Sequence, residues 1–343
     1  MSKPPQKPIT LKELAALLDL SPATVSRAIN GQAEKYRIAE ETSKRVLEAA
    51  RIHGYTANSV ARSLRAQRTY TVGVIVPEIS EGYATTVLSG IEDELLRDGY
   101  FYFVVSHRHR ADLLDGYPRL LVARSVEGII AIDTPLEKPL PVPLVTISGA
   151  SAGPGVAHIA IDHDHAARLA LTHLRALGHH RIAFIRGQAF SSDTEPRWQA
   201  IVAAAAALGI AIEPQLVVQL EQPEPGPEPG AEATRRLLAR NTPFTALFAF
   251  NDMSAMGAIH ALRAAGLHIP ADVSVLGFDD VPAAATHNPP LTTIRQPLRT
   301  MGQAAASALL GLIRGESAQP QTGSLTVHPE LIVRESTAVA AGS

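Results

Sequence analysis

The sequence predicts an α/β protein, with an N-terminal all-α helix-turn-helix head followed by a two-lobed, doubly wound core. Three observations predict it. Residues 9–30, ITLKELAALLDLSPATVSRAIN, read as two short helices joined by a tight turn. From Thr71 onward, apolar runs of strand length alternate with helix-length stretches, the pattern of parallel sheets wound on both faces by helices. The alternation falls into two series of similar length, one for each lobe.

In the first helix Thr10 can serve as N-cap, and Glu13 completes a capping box. Leu14, Ala15 and Leu18 give one apolar face. Asp19-Leu20 is the turn. Ser21 is a good N-cap, and Pro22 takes the first helical position, where its missing N–H costs nothing. Val25 and Ile29 face the first helix, while Pro22, Ala23, Ser26 and Arg27 point outward. Asn30-Gly31 ends the second helix with a residue that tolerates positive φ. A pair of helices of this kind places its second helix in a DNA major groove; a hairpin buried in a larger core is the competing reading. After the loop Gln32–Arg37, Ala39–Ile52 reads as a third helix, stopped by Gly54. Residues 58–67, NSVARSLRAQ, read as a two-turn helix capped by Asn58, too short to hold alone in water. It is either a linker or a hinge that folds when docked on DNA.

The first core series runs TVGVIVP (71–77), a helix over Tyr83–Asp98 ended by Gly99, YFYFVVS (100–106), a helix around Leu113–Arg124, GIIAIDT (128–134) and LVTIS (144–148). The second runs HIAID (158–162), the helix Ala166–Leu177, RIAFIRG (181–187), the helix Pro196–Leu208, LVVQLE (216–221), the helix Ala231–Arg240, ALFAFN (246–251), the helix Met253–Ala265 and VSVLGFDD (273–280). Residues 221–230, EQPEPGPEPG, read as a low-complexity loop with no chemistry.

Composition narrows the class. The chain has 343 residues, 46% apolar, enough for a large core and two or three domains. No run of about 18 apolar residues exists, so no membrane span is expected. The start, MSKPPQKP, lacks the apolar stretch of a signal peptide. There are no cysteines, which excludes a disulfide scaffold, a Cys-ligated zinc site and a Cys nucleophile, and fits the cytoplasm. The net charge of −2 conceals a division. Residues 1–70 carry 12 Lys and Arg against 6 Asp and Glu, whereas the remaining 273 carry 19 against 27. A basic head on an acidic body fits a local phosphate-binding surface.

The motifs, in order and spacing, resemble the bacterial lactose-repressor/galactose-repressor (LacI/GalR) family of transcriptional regulators over nearly the whole chain. They are Leu11–Asn30 with its Thr24-Val25-Ser26-Arg27 core, Gly54-Tyr55, Asn58, Ala61-Arg62-Ser63-Leu64, Leu177-Gly178-His179 and Arg181-Ile182-Ala183. Further on come Phe250-Asn251-Asp252, Pro270–Ser274, Gly277-Phe278-Asp279-Asp280, Pro290–Ile294 and Met301-Gly302. The resemblance implies a DNA-binding head over residues 1–57, a hinge helix over 58–68, and a core over 69–343 similar to periplasmic sugar-binding proteins. It further implies a cytoplasmic homodimer on pseudo-palindromic double-stranded operator DNA. The protein would be a repressor controlled by a small effector, by default a sugar or sugar derivative, with no cofactor and no metal. The C-terminus shows no leucine heptads, so no coiled-coil tetramerisation tail is expected.

Within that resemblance, Arg27 can offer a bidentate fork to guanine O6 and N7. Pro22 and Ala23, where the family often has polar readers, leave apolar contact with thymine methyls. Ser21, Thr24, Ser26 and Asn30 suit phosphate contacts, which position without specifying. Thr10, Tyr55, Asn58 and Ala61 complete the expected DNA set, and Leu64 matches the leucine that wedges into the central base step. Asp19 stands where relatives often have Gly, the loop after Asn30 is longer than the common form, and Ala39 replaces the usual Ser cap. For the effector, motif position points to Tyr83, Arg197, Asn251 and Asp279, with Gln296 near a lobe crossing and Asp252 as a helix cap. Ser148 stands where relatives commonly have a pocket Asp.

Other classes fit less well. Gly149-Ala150-Ser151-Ala152-Gly153 has the GxSxG spacing of a nucleophile elbow, but Pro154-Gly155 follows where a helix is required. Neither GxGxxG nor GxxxxGK[ST] occurs. His107/His109, His163-Asp164-His165 and His179-His180 read as surface histidines rather than metal ligands. A periplasmic solute-binding protein without a DNA role would account for the core and leave the head unexplained.

Overall fold

The structure, a computed structural model, describes residues 9–55, 68–80, 82–136, 138–148, 156–316 and 324–340. Contacts divide the chain into two compact units, Met1–Thr69 and Tyr70–Ser343. The expected hinge, with Asn58, Ala61 and Leu64, and the GxSxG loop at 149–153 lie outside the described residues.

The first unit is built from α1 (Leu11–Leu18), α2 (Pro22–Ile29) and α3 (Glu40–Ile52). Thr10 and Glu13 form the reciprocal capping box at α1. Asp19 takes the left-handed conformation at φ +53°, which a short polar side chain tolerates, and so supplies the turn. Ser21 accepts the Thr24 N–H at α2. Ala39 makes no side-chain cap at α3, as its missing oxygen requires. Leu14, Ala15, Val25, Ala28, Val46 and Ala50 are the buried centre. So small an apolar core gives modest stability.

The second unit holds two six-stranded sheets. In the first lobe the chain runs β1 (Thr71–Val76), α4 (Gly82–Arg97), β2 (Phe101–Ser106), α5 (Ala111–Ala123), β3 (Gly128–Ile132), β4 (Leu144–Ile147) and β5 (Ala157–Ile161). In the second it runs α6 (His163–Ala176), β6 (Ile182–Arg186), α7 (Thr194–Ala207), β7 (Val217–Gln219), α8 (Glu228–Ala239), β8 (Ala246–Phe248), α9 (Asp252–Ala264), β9 (Ser274–Asp279), α10 (Pro282–Thr286) and β10 (Thr292–Arg295). It then returns to the first lobe as α11 (Leu298–Arg314) and β11 (Ser324–Val327), and to the second as β12 (Glu330–Ile332). The sheet orders are β11-β5-β4-β3-β1-β2 and β12-β10-β9-β8-β6-β7. The five principal strands of each lobe therefore follow one doubly wound order, with the direction of winding reversing between β1 and β3 and between β6 and β8. β12 pairs antiparallel with β10.

Several expectations change. HIAID does not open the second lobe: as β5 it pairs with β4 in the first sheet, and the chain changes lobes only after it. The reason is that its neighbour on the other side, β11, comes from beyond residue 320, which no local pattern announces. Elements after Asp280 had no sequence assignment, yet they include α11, whose Leu298, Met301, Ala305 and Leu309 fill the first lobe's core. The low-complexity stretch is not wholly loop, because Glu228, Pro229 and Gly230 form the first turn of α8, where proline is tolerated. LVVQLE shortens to β7, preceded by a 3-10 turn at Pro214–Leu216. Among the described residues no helix is long and apolar enough to cross a membrane.

Candidate functional site

In the head, the face of α2 that does not pack is the candidate nucleic-acid surface. Val25 and Ala28 are buried, which turns Ser21, Pro22, Ala23, Arg27 and Asn30 to solvent and leaves Thr24 and Ser26 half-buried. The Arg27 guanidinium lies 4.0 Å over the Tyr36 ring, and this stacking limits the fork's orientations. The longer loop after Asn30 thus supplies a platform for the expected base reader. Asn30 donates to the Ser26 carbonyl at 2.7 Å, so part of its amide is already occupied. Ser21 and Thr24 hydroxyls pair at 2.9 Å. Tyr55 is half-buried and packs against the head's core, while Thr10 is exposed at the start of α1.

In the second unit, the carboxyl ends of both sheets open on one cleft. Ligands of doubly wound sheets lie at this end, where the strand order reverses. The switch points deliver Pro77 and Glu78 after β1, Asp133 after β3, Gln188 after β6, and Phe250 with Asn251 after β8; all line the cleft. Tyr83, His109, Phe190, Ser191, Asp193, Arg197, Ser254 and Asp279 line it as well. The space it encloses, counted with its open mouth, is about 860 Å³.

Four of the six expected effector residues line the cleft: Tyr83, Arg197, Asn251 and Asp279. Ser148 and Gln296 sit one step behind them. The Tyr83 hydroxyl pairs with Ser148 Oγ at 2.8 Å. Gln296 is buried and donates to Asp279 Oδ1 at 2.6 Å. Burial, with Asp193 and Asp133 nearby, pushes the Tyr83 phenol well above its ordinary value, so it is a neutral donor and acceptor. Arg197 is buried between two rings, 3.7 Å from Phe278 and 4.4 Å from Phe250. It donates to the Phe250 carbonyl at 2.5 Å and to Asp193 at 3.4 Å. Asp279 ends β9 at φ +114°, a strained conformation for a residue with a side chain, and its carboxylate is aimed by Gln296.

Two roles exchange. Asn251, not Asp252, caps α9, its Oδ1 accepting the Ser254 N–H at 2.8 Å. Asp252 is buried and accepts from Thr293 Oγ1 at 2.6 Å and from the Val281 N–H at 2.9 Å. Asn251 fills its cap while lining the cleft, because the cap of α9 lies at the end of β8.

The expected set missed Asp133. It accepts from Ser191 Oγ at 3.1 Å, the Ser192 N–H at 3.0 Å and Ser192 Oγ, tying the first lobe to the second. Burial first, then Asp193, pushes its carboxyl up to about 6. Its signal was present, since Asp133 directly follows the wholly buried run GIIAI at a strand's carboxyl end. The low-complexity loop was also denied a role, yet Pro223, Glu224, Pro225 and Gly226 form one wall.

The surface reading of the histidines fails for two of them. His107 is buried against Thr134 at 3.1 Å, and burial lowers it to about 4. His179 is buried between Thr245 Oγ1 at 2.9 Å and the Ala338 carbonyl at 3.0 Å. His109 stacks on Phe190 with 3.8 Å between ring centres.

Residues 10–58 match the family model for bacterial regulatory proteins of the lacI family, and residues 171–337 match that for periplasmic binding protein-like domains. The HTH-type transcriptional repressor PurR of Pasteurella multocida is 31% identical over 341 residues, covering 95% of this chain and 98% of that protein. PurR of Haemophilus influenzae is 32% identical at the same coverage. The chain belongs to the LacI family. Its fold matches the lac repressor dimer bound to operator and the anti-inducer ONPF, with TM-score 0.85, 26% identity, and 97% and 100% of the two chains covered. It also matches the transcriptional regulator CelR in complex with cellobiose, with TM-score 0.71, 30% identity, and 96% and 99% covered. The protein is thus a DNA-binding transcriptional regulator of LacI type, with an effector-binding core, and not an enzyme. A solute-binding protein without a DNA role is set aside by the matched head.

Proposed function

We propose that this LacI-type regulator represses transcription as a cytoplasmic homodimer on a pseudo-palindromic operator, and that a sugar or sugar derivative in the cleft sets its affinity for DNA. The carrying observation is the cleft itself: Tyr83, Arg197, Asn251 and Asp279 meet at the carboxyl ends of two sheets, in a chain whose head exposes much of the outer face of α2. Structures similar to this one hold cellobiose, ribose and D-xylulofuranose. In this reading residues 1–57 bind DNA, 58–68 form the hinge, and 69–343 bind effector and dimerise. Arg27 reads guanine, Pro22 and Ala23 touch thymine methyls, and Ser21, Thr24, Ser26 and Asn30 hold phosphates. Self-association is supported by β2, the end strand of the first sheet, where Phe101 is 61% exposed and stacks edge-on with exposed Phe103; an exposed apolar edge strand invites pairing.

The effector acts through whatever difference in its affinity exists between the DNA-competent and DNA-incompetent lobe arrangements. Selection of bound duplexes from a random pool at moderate salt, with and without a pool of sugars, tests the whole reading. A palindrome with half-site centres about one helical turn apart is expected, with enrichment that changes when sugar is present. No enrichment in either condition overturns it. Leu64→Ala is expected to lower operator affinity while thermal unfolding of the core stays unchanged; operator binding equal to the parent's would remove the hinge from the mechanism.

A further inference from the structure

Resting on the assignment of Arg27 as a guanine reader, we propose that the loop Gln32–Arg37 is a second DNA-contacting element of the head, in which Tyr36 holds Arg27 for its guanine and Lys35 takes a phosphate beside it. The loop is ordered by its own backbone. The Gln32 N–H donates to the Arg27 carbonyl at 2.9 Å, the Tyr36 N–H to the Gln32 carbonyl at 3.2 Å, and the Ile38 N–H to the Ala33 carbonyl at 2.8 Å. These bonds fasten the loop to the end of α2 and bring residue 36 back beside residue 27. The Arg27 guanidinium then sits 4.0 Å, and Lys35 Nζ 5.9 Å, from the centre of the Tyr36 ring.

The ring does not fill the head's core. Tyr36 is 43% exposed and lies outside the cluster around Leu14, Val25 and Val46. Its face attracts cations, and it gathers two of them where like charges repel. A DNA phosphate next to the ring offsets that repulsion. Arg27 stands on the exposed side of α2 and Lys35 is exposed as well, so the loop continues the surface that α2 presents to DNA. A long arginine must be immobilised to make both bonds to guanine O6 and N7. Contact with a ring removes part of that freedom before binding. It also consumes no lone-pair acceptor, so the guanidinium keeps its N–H donors for the base.

Fluorescence anisotropy of the full-length protein on a duplex recovered by the selection above decides it. 7-Deazaguanine, which lacks the N7 acceptor, replaces each guanine in turn. The guanine read by Arg27 is the one whose replacement weakens the parent and leaves Arg27→Ala unaffected. On the unmodified duplex Tyr36→Ala and Tyr36→Leu are each expected to weaken binding about three- to fivefold, and Tyr36→Phe to stay within about twofold of the parent. With 7-deazaguanine at that position the Tyr36 variants should bind like the parent, a coupling that general loosening of the head does not produce. A thermal melt verifies folding, and leucine keeps the bulk if alanine does not fold. Lys35→Ala should lower the slope of log affinity against log salt by about one per head, with the guanine preference unchanged. Equal loss on both duplexes, or no loss on either, overturns the role of Tyr36. An unchanged salt slope overturns the phosphate contact. If no guanine couples to Arg27, the base-reader assignment falls and takes this proposal with it, while an enriched palindrome still upholds the regulator. If no duplex is enriched, both fall.

Discussion

In the first lobe, α4 and α11 cross where Gly90 and Gly302 face each other. A Cβ at Gly90 would run into the Arg299 carbonyl oxygen, and one at Gly302 into that of Val87. In the second lobe α8 and α9 cross in the same way, with Gly230 against Ser254 and Gly257 against Pro227. The two lobes share this device and a strand order, but they hold the returning chain differently. The first lobe holds α11 by apolar packing of Leu298, Met301, Ala305 and Leu309, helped by a largely exposed pair of Arg299 with Asp93 at 2.7 Å. The second holds residues 334–340 by buried polar bonds. Ser336 donates to the Val275 carbonyl at 2.6 Å and accepts the Thr292 N–H at 2.8 Å, and Arg334 reaches Asp280 at 2.6 Å. One topology can thus be closed by apolar area or by polar complementarity, and the two respond differently to substitution.

The largest effect should come from valine at the crossings. Gly302→Val and Gly257→Val each force two helices apart, and each should cost about 3 kcal/mol or more, read by denaturant unfolding of the full chain. A valine tolerated within about 1 kcal/mol at either site would break the likeness of the two crossings. Next comes Asp252→Asn in the second lobe, which turns an amide donor toward one of two donors and should cost about 1–3 kcal/mol. It also carries a pH signature. Burial pushes the Asp252 carboxyl up to about 7, above the value of about 4 for an unfolded chain. The folded state therefore retains a proton that the unfolded state releases. The resulting stabilisation is complete below about pH 4 and is lost as pH rises through about 7, and the Asn variant should lack that slope.

Smaller effects separate the two closures. Ser336→Ala strands a buried N–H and carbonyl and should cost about 1–2 kcal/mol. Arg299→Ala removes a surface pair and should cost less than about 1 kcal/mol. Equal losses, measured by the same unfolding curves, would show that the lobes do not differ in this way.

Local signals account for what was legible. The capping box at Thr10, the turn at Asp19 and the cap at Ser21 are satisfied within a few residues, so their geometry is written in short stretches. Tyr83, Arg197, Asn251 and Asp279 were legible for a second reason, since each belongs to a motif or position recognisable by resemblance. Asp133 was not, although GIIAIDT was visible, because its importance comes from Ser191 and Ser192 on the other lobe. Gln296 and Ser148 were placed near the site but not in their supporting roles, since those depend on which side chain lies in front. EQPEPGPEPG reads as spacer by composition and becomes a cleft wall only because α8 begins inside it.

By itself the sequence determined the helix-turn-helix, the α/β alternation, the basic head and the family motifs. Each follows from periodicity, capping or charge over short distances, where the cost of ordering the chain is locally repaid. Only the tertiary structure decided that β5 completes the first sheet, that α11 returns to the first lobe, and that Asp133, Asp193, Arg197 and Asp279 line one cleft. Those outcomes depend on contacts between distant segments, where burial and electrostatics act on neighbours that no local pattern names.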